Sequence, residues 1–195
     1  MSAPPAPPLL LASRSPQRRA ILEQLGIPFE VLVPDWEELV GGDPAETVRA
    51  NALGKARSVA EAAGERPVLG VDTEVVLAGR VLGKAETEAE AESMLEALAG
   101  HTHEVVSGLC LVTPGWEVVE HEVTRVAFRP LDARDLAAYV SLGEWNGRAG
   151  AYAVQGRGAS LVERIEGDYL NVVGLPAALL VRLLAERFPG VYGFG

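Results

Sequence analysis

The chain has 195 residues, of which 48% are apolar and 23% charged, so its composition is that of a globular protein rather than a disordered one. Its formal net charge of -10 argues against a nucleic-acid polymer as partner, because binding along a phosphate backbone needs clustered lysine and arginine. No apolar run approaches the roughly 20 residues that a membrane span needs. A small phosphate compound is still a compatible ligand, because a local pocket can be basic on an acidic protein.

Residues 1–8 are predicted to form a proline-rich arm, because they lack the basic start and the apolar core of an export signal. We therefore expect the protein in the cytoplasm. A length of 195 residues suits one domain or two small lobes, and we expect a single domain over residues 1–195. The one cysteine, Cys110, lies in an apolar run and is expected to be buried. The cysteine and the histidines do not show a zinc-binding spacing, so any metal is expected to be held by oxygen atoms.

The first predicted elements are a short buried strand and a helix. The strand is expected over residues 9–13, which begin with four apolar residues, and Ser15 and Pro16 follow as the N-cap and first residue of a helix that ends at Gly26. Three arginines stand at the start of this helix: Arg14, Arg18 and Arg19. Because they oppose the helix dipole unless an anion compensates them, they favour a phosphate site. An ordinary capped helix with solvated arginines is the alternative.

A second strand is predicted over residues 28–33, and an acidic stretch follows at residues 34–38. Carboxylates in this stretch are candidate metal ligands, although an acidic loop is usually only solvated. Asp43 and Glu46 then form a capping-box pattern, which predicts the start of a long helix.

A hairpin is predicted at the centre of the chain. Residues 67–71 have the branched apolar content of a buried strand, so Asp72 and Thr73 are expected where that strand leaves the core. The strand then continues, turns, and returns over residues 81–84, which would bring Lys84 back toward Asp72. A carboxylate and an ammonium would then flank one opening. Alternatively, Asp72 caps a turn and Lys84 is a solvated surface charge.

The second half of the chain predicts, in order, a helix from Thr87 to Gly100, long antiparallel strands over residues 104–112 and 116–128, a helix from Asp132 to Leu142, and a final helix over residues 177–188. A glycine-rich stretch at residues 148–158 contains Gln155. Its amide offers both a donor and an acceptor, so it could read a nucleobase edge or satisfy a buried backbone group.

Five motifs occur in order along nearly the whole chain: Leu-Ala-Ser-Arg-Ser-Pro-Gln-Arg-Arg (11–19), Gly-Val-Asp-Thr (70–73), Leu-Gly-Lys (82–84), Ala-Gly-Ala-Tyr-Ala-Val-Gln-Gly (149–156) and Asn-Val-Val-Gly-Leu-Pro (171–176). Together they resemble the Maf family of nucleoside triphosphate pyrophosphatases, also called septum formation inhibitors. The resemblance implies a two-lobed α/β fold of the Maf/ITPase-like type, a mixed sheet flanked by helices with a central nucleotide cleft. It also implies a homodimer, a divalent cation (Mg²⁺ or Mn²⁺), and cleavage between the α and β phosphates to give a monophosphate and pyrophosphate.

The resemblance further implies roles for individual residues. Asp72 resembles the catalytic acid of the family, and Glu38 the acid of its first acidic loop, so both are candidate metal ligands. Whether Asp72 acts as a base or holds the metal is left open by the sequence. The positions that resemble the phosphate-contacting residues of the family are Ser13, Arg18, Lys55 and Lys84.

Three residues bear on the choice of base. Thr73 and Gln155 match the branch of the family that prefers dTTP and UTP, whereas the branch acting on 7-methyl-GTP has Gln and Glu there. Gln17 departs from both branches, which usually have arginine or tryptophan at that place, so CTP or a modified nucleotide is an additional candidate substrate. The alternative function is a nucleotide-binding regulator of cell division with little turnover.

Overall fold

The structure is a computed structural model that describes residues 7–195, so most of the predicted arm at residues 1–8 lies outside the described residues. The strands are β1 (Leu9–Ala12), β2 (Phe29–Leu32), β3 (Val68–Leu77), β4 (Arg80–Leu82), β5 (Thr102–Thr113), β6 (Trp116–Phe128) and β7 (Val162–Glu166). The helices are α1 (Pro16–Gln24), α2 (Pro44–Ala63), α3 (Glu88–Leu98), α4 (Ala133–Val140), α5 (Tyr169–Val173) and α6 (Ala177–Arg187), with a 3-10 helix at Gly156–Leu161. No helix within residues 7–195 combines the length and apolar content that crossing a bilayer requires.

The seven strands form one mixed sheet in the order β2-β1-β3-β5-β6-β7, with β4 paired to β3. Strand β1 runs parallel to both β2 and β3, and helices α1 and α2 make the two crossovers that parallel neighbours require. Strands β4 and β7 are antiparallel to β3 and β6. These features confirm the predicted α/β class with a mixed sheet and flanking helices.

The chain divides into two compact units. The first unit contains the described residues up to Asp72, together with Ser107–Glu122 and Gly174–Gly195. The second unit contains Thr73–Val106 and Val123–Val173. Strands β3, β5 and β6 each contribute residues to both units. The expectation of a single domain over residues 1–195 stays a prediction.

The core of the first unit lies between β1 and α2. The leucines of β1 are buried, and alanines of α2, among them Ala52 and Ala56, pack in the same apolar cluster. Cys110 belongs to this cluster, and its thiol donates a hydrogen bond of 3.1 Å to the carbonyl oxygen of Ala52. Burial raises the pKa of the Cys110 thiol to about 12, so this cysteine is a buried apolar contact, as predicted.

The core of the second unit contains an aromatic cluster. The rings of His103, Phe128 and Tyr152 pack edge to face, with centroids 4.9 to 5.3 Å apart. Next to it, Gly150 has φ of +67°, and a Cβ atom there would lie 2.9 Å from a methyl group of Val75. Glycine is therefore required at position 150 for both its backbone conformation and its lack of a side chain.

Strand β3 runs unbroken from Val68 to Leu77, which confirms the predicted continuation of the strand beyond Asp72 and Thr73. The position of Asp72 relative to the core differs from the expectation. Asp72 was expected where the strand leaves the core, but it is buried, and the half-buried positions of the strand begin at Thr73.

The capping pattern at the start of α2 is only half realised. The carboxylate of Asp43 accepts from the backbone N–H of Glu46 at 3.0 Å, as predicted, but the Glu46 carboxylate pairs with Arg49. A complete capping box instead opens α4, between Asp132 and Asp135. At the start of α2, Arg49 therefore competes with the N-cap backbone for the Glu46 carboxylate.

Three elements were not predicted: the 3-10 helix, β7 and α5. Strand β7 has a detectable signal, because Val162-Glu163-Arg164-Ile165-Glu166 places charged residues between apolar ones in a short run. The 3-10 helix and α5 are each six residues or fewer. Such short helices carry too few residues for a helical period to be recognised.

Candidate active site

Two buried charges of opposite sign form an ion pair in the first unit. Asp72 on β3 is 7% exposed and Lys55 on α2 is 6% exposed. The Lys55 ammonium lies 2.6 Å from the Asp72 carboxylate and 2.6 Å from the carboxylate of Glu38, which is on the loop between β2 and α2. The structure therefore brings together three of the candidate residues from three separate segments, around a single ammonium group.

Arg18 is held at a second place in the first unit, at the start of α1. Its guanidinium donates to the Ser13 hydroxyl at 3.1 Å and to the carbonyl oxygen of Gly174 at 2.9 Å. Ser13 also accepts from the backbone N–H of Ser15 at 3.1 Å, so this hydroxyl joins the end of β1 to the start of α1. Arg14 and Arg19 are exposed. Of the three arginines that suggested an anion site, Arg18 is the one fixed by the surrounding structure.

The electrostatic surroundings of Arg18 connect it with the acidic residues. Burial lowers the pKa of Arg18, while the negative charges of Asp72 and Glu38 act in the opposite direction. An arginine cannot lose its proton under ordinary conditions, so the site holds two cations, Arg18 and Lys55, with two carboxylates. Because the two carboxylates balance the two cations, a polyphosphate would need further positive charge here, which a divalent cation can supply.

Gln17 lies beside the N-cap of α1. Its side-chain oxygen accepts from the Ser15 hydroxyl at 3.1 Å, and the residue is half-buried. The Ser15 hydroxyl in turn accepts from the backbone N–H of Arg18 at 3.4 Å, which is the expected cap. Gln17 is therefore tied to the segment that holds Arg18.

The remaining candidates are in the second unit. Thr73 follows Asp72 on β3 and is half-buried, whereas Lys84 and Gln155 are exposed. Lys84 forms an isolated antiparallel bridge with Ala149, and the backbone N–H of Gly150 donates to the carbonyl oxygens of residues 82 and 83 at 3.0 and 2.9 Å. The second unit thus joins two of the motifs, residues 82–84 and residues 149–156.

Glu144 anchors the segment that follows Gln155, a contact that the sequence did not reveal. Its two carboxylate oxygens accept from the backbone N–H groups of Arg157 and Gly158, both at 3.1 Å. Gln155 itself stands at the N-cap of the 3-10 helix and makes no side-chain cap bond. Its amide therefore does not satisfy the end of that helix.

The donor set fits a hard divalent cation. Glu38 and Asp72 supply carboxylate oxygens that both contact the Lys55 ammonium. Within residues 7–195, no cluster of three or more metal-ligating side chains occurs. Mg²⁺ is usually bound by one or two carboxylates, with phosphate oxygens and waters completing its coordination. Two carboxylates therefore suit a cation that arrives with a phosphate compound better than a permanently bound structural metal.

Fold and site together define an α/β protein with a site suited to a phosphate compound. This site contains the buried pair of Asp72 and Lys55 and the anchored side chain of Arg18. A family model described as Maf-like protein matches residues 8–187, so the chain belongs to the Maf family.

Several relatives carry the name dTTP/UTP pyrophosphatase. One from Nitratidesulfovibrio vulgaris is 48% identical over 93% of this chain and 89% of its own length. One from Symbiobacterium thermophilum is 48% identical, over 91% of this chain and 93% of its own, and one from Deinococcus radiodurans is 42% identical over 100% of both. Among solved structures, a HAM1 protein from Coxiella burnetii overlaps 62% of this chain and 72% of its own, with a TM-score of 0.44 and 23% identity.

Proposed function

We propose that this protein is a nucleoside triphosphate pyrophosphatase that hydrolyses dTTP and UTP to the monophosphate and pyrophosphate. The names of its relatives support this substrate class, and the observation that carries it is the cluster of Asp72, Lys55 and Glu38. Removing such nucleotides is a house-cleaning role in the cytoplasmic nucleotide pool. We also propose a homodimer, as the family resemblance implies.

In the proposed mechanism, cations neutralise the triphosphate before a water approaches the α-phosphorus. Lys55, Arg18 and Lys84 supply positive charge, and the Ser13 hydroxyl supplies a hydrogen bond. Asp72 orients the attacking water and accepts its proton, a role that typically contributes ~10²- to 10⁴-fold to the rate. Glu38 and Asp72 would hold a divalent cation, Mg²⁺ or Mn²⁺, which supplies charge neutralisation at the phosphates when bound.

The test of this function is product analysis with a divalent cation present and absent. We expect UTP and dTTP to give the nucleoside monophosphate and pyrophosphate, and we expect a chelator to stop the reaction because oxygen ligands and phosphates hold the metal. Products are separated by ion-exchange chromatography. A nucleoside diphosphate with orthophosphate as the main products would contradict the proposal. Tight binding of UTP without turnover would instead favour the regulator of cell division.

A second prediction concerns the base. An amide at position 155 can donate to a carbonyl of uracil or thymine and accept from its N3–H, whereas a carboxylate can only accept. We expect UTP and dTTP to exceed 7-methyl-GTP by more than ~10-fold in kcat/KM, because a mismatched edge leaves polar groups unpaired. Gln155→Glu should reduce this preference. Gln17 lacks the charge and the forked donors of arginine, so CTP should also be accepted.

The matched control is Gln24→Glu, the same chemical change at an exposed position near the end of α1. It should leave the order of substrates as it is in the unmodified protein. The assignment of Gln155 is wrong if Gln155→Glu and Gln24→Glu give the same ranking, or if 7-methyl-GTP is cleaved faster than UTP and dTTP.

A further inference from the structure

Three polar side chains form a row along one face of α2. Thr47, Asn51 and Lys55 are four residues apart, so they lie one turn above another, and all three are buried. At the two ends of the row, the Thr47 hydroxyl donates to the carbonyl oxygen of Gly41 at 2.7 Å, and Lys55 pairs with Glu38. The β2–α2 loop, residues 33–43, is thus attached to the helix at Glu38 and at Gly41.

Asn51, in the middle of the row, uses its whole amide. Its side-chain oxygen accepts from the backbone N–H of Leu39 at 2.8 Å and from the ring N–H of Trp36 at 3.1 Å. Its NH₂ group donates to the carbonyl oxygen of Leu39 and to the Asp72 carboxylate, both at 3.0 Å. The reverse orientation of the amide would place donors against two N–H groups. The contacts therefore allow one orientation only.

Trp36 adds a second attachment of the loop to α2. The Trp36 ring packs directly against the backbone of Gly54. A Cβ atom at position 54 would stand 2.3 Å from the ring, so a side chain there would clash with Trp36. Trp36 is 39% exposed, and its ring N–H donates to the side-chain oxygen of Asn51. Packing at Gly54 and hydrogen bonding at Asn51 therefore hold the same tryptophan.

We propose that Asn51 is a positioning residue that couples the β2–α2 loop to Asp72. The same amide bonds both backbone groups of Leu39, the residue after Glu38, and one oxygen of Asp72. If the loop moved away, the Asn51 amide would lose three of its four hydrogen bonds and could rotate. Asp72 would then lose the Asn51 NH₂ group, which donates to it beside Lys55. The two carboxylates of the site are thereby held as one arrangement. The catalytic consequence rests on the proposed function, whereas the coupling itself does not.

Two variants of Asn51 separate its contacts, and Thr47→Val is the matched control. Asn51→Leu removes all four hydrogen bonds with little change in size. Asn51→Asp keeps the two acceptor bonds, to Trp36 and the Leu39 N–H, and loses the two donor bonds. Thr47→Val removes a loop contact from the same face of α2 without touching Asp72.

We expect both Asn51 variants to lower kcat for UTP by about 10- to 100-fold with KM changed less than ~3-fold, because small displacements of catalytic groups cost rates of this order. Thr47→Val should stay within ~3-fold of the unmodified protein in kcat, because it leaves Asp72 in place. Equal losses in Thr47→Val and Asn51→Leu would show that Asn51 only fastens the loop, and would overturn the proposal.

A second readout needs neither nucleotide nor metal. In protein labelled with 5-fluorotryptophan, the ¹⁹F resonance of Trp36 is assigned by its loss in Trp36→Phe, while Trp116 and Trp145 report that each variant is folded. The Trp36 resonance should move in Asn51→Leu and stay in place in Asn51→Asp and Thr47→Val. An unchanged Trp36 resonance in Asn51→Leu would overturn the coupling. If the unmodified protein does not hydrolyse UTP but the resonance moves as expected, the proposed function fails and the attachment of the loop through Asn51 stands.

Discussion

Asp72→Asn is expected to lower kcat by at least ~100-fold while the protein remains folded. The neutral amide cannot accept a proton from water. It also cannot satisfy both neighbours, since one carboxylate oxygen faces the Lys55 ammonium and the other the Asn51 NH₂ group, so the new NH₂ must meet one donor. Lys55 keeps Glu38 as an ionic partner, which limits the loss of stability. Steady-state kinetics with UTP measure the loss of kcat, and circular dichroism with thermal melting shows whether the protein remains folded.

Glu38→Gln is the matched control, because Glu38 contacts the same ammonium from a side chain that is 50% exposed. If Glu38 serves to hold the cation, higher Mg²⁺ or Mn²⁺ should restore much of the activity of Glu38→Gln. The loss in Asp72→Asn should persist at high cation concentration, because the missing proton acceptor is not replaced. Near-full turnover in Asp72→Asn would contradict the proposed role of Asp72.

The second large effect is a loss of stability in acid that originates at His103. This residue is 1% exposed, its Nε2 lies 2.8 Å from the Tyr152 hydroxyl, and its Nδ1 is buried without a hydrogen-bond partner among residues 7–195. Burial lowers the pKa of His103 from 6.5 to about 4, because a protonated ring would bury a charge and an unpaired N–H.

Between pH 6.5 and about 4, the unfolded chain binds a proton at position 103 and the folded protein does not. The free energy of unfolding therefore falls as the pH falls through this window, and the contribution of His103 is fully present above pH 6.5. We expect this contribution to decrease by about 2–3 kcal/mol between about pH 7.5 and about pH 4.5, as measured by urea unfolding. Because Tyr152 belongs to the motif at residues 149–156, the loss should weaken the packing that supports Gln155.

His103→Gln isolates this effect, because glutamine keeps a polar group near Tyr152 but does not titrate. Between about pH 7.5 and about pH 4.5, the unfolding free energy of His103→Gln should decrease by about 2–3 kcal/mol less than that of the unmodified protein. His101→Gln and His121→Gln make the same replacement at exposed positions and are the controls for the substitution itself. An unchanged pH dependence in His103→Gln would show that the acid sensitivity arises elsewhere.

Local sequence signals predicted most of the secondary structure. Ser15 marks the start of α1, Asp43 the start of α2 and Asp132 the start of α4, because each places a side-chain oxygen next to unpaired N–H groups at a helix start. Apolar runs predicted β1 and β5. The short 3-10 helix and α5 were missed because their contacts within the chain, rather than a periodic pattern, keep them in place.

The hairpin shows which contacts can be predicted from residues close in sequence and which cannot. The pairing of Val75 with Leu82 and the turn between β3 and β4 agree with the sequence pattern. Lys84, however, bridges to Ala149, more than sixty residues further along the chain. Glu144 and its bonds to the backbone after Gln155 were likewise invisible to a pattern search, because a carboxylate that accepts from distant N–H groups has no fixed spacing.

The sequence by itself determined the α/β class, the family and the residue types of the candidate site, because helix caps, apolar runs and motifs depend on neighbours along the chain. Only the tertiary structure decided which carboxylates share Lys55, that Gly174 fixes Arg18, and that Asn51 joins the β2–α2 loop to Asp72. These contacts link residues from 12 to 156 positions apart. Such separations are closed by burial of the surrounding apolar residues, which has no direction of its own, so the pairing of polar groups emerges only when the core is packed.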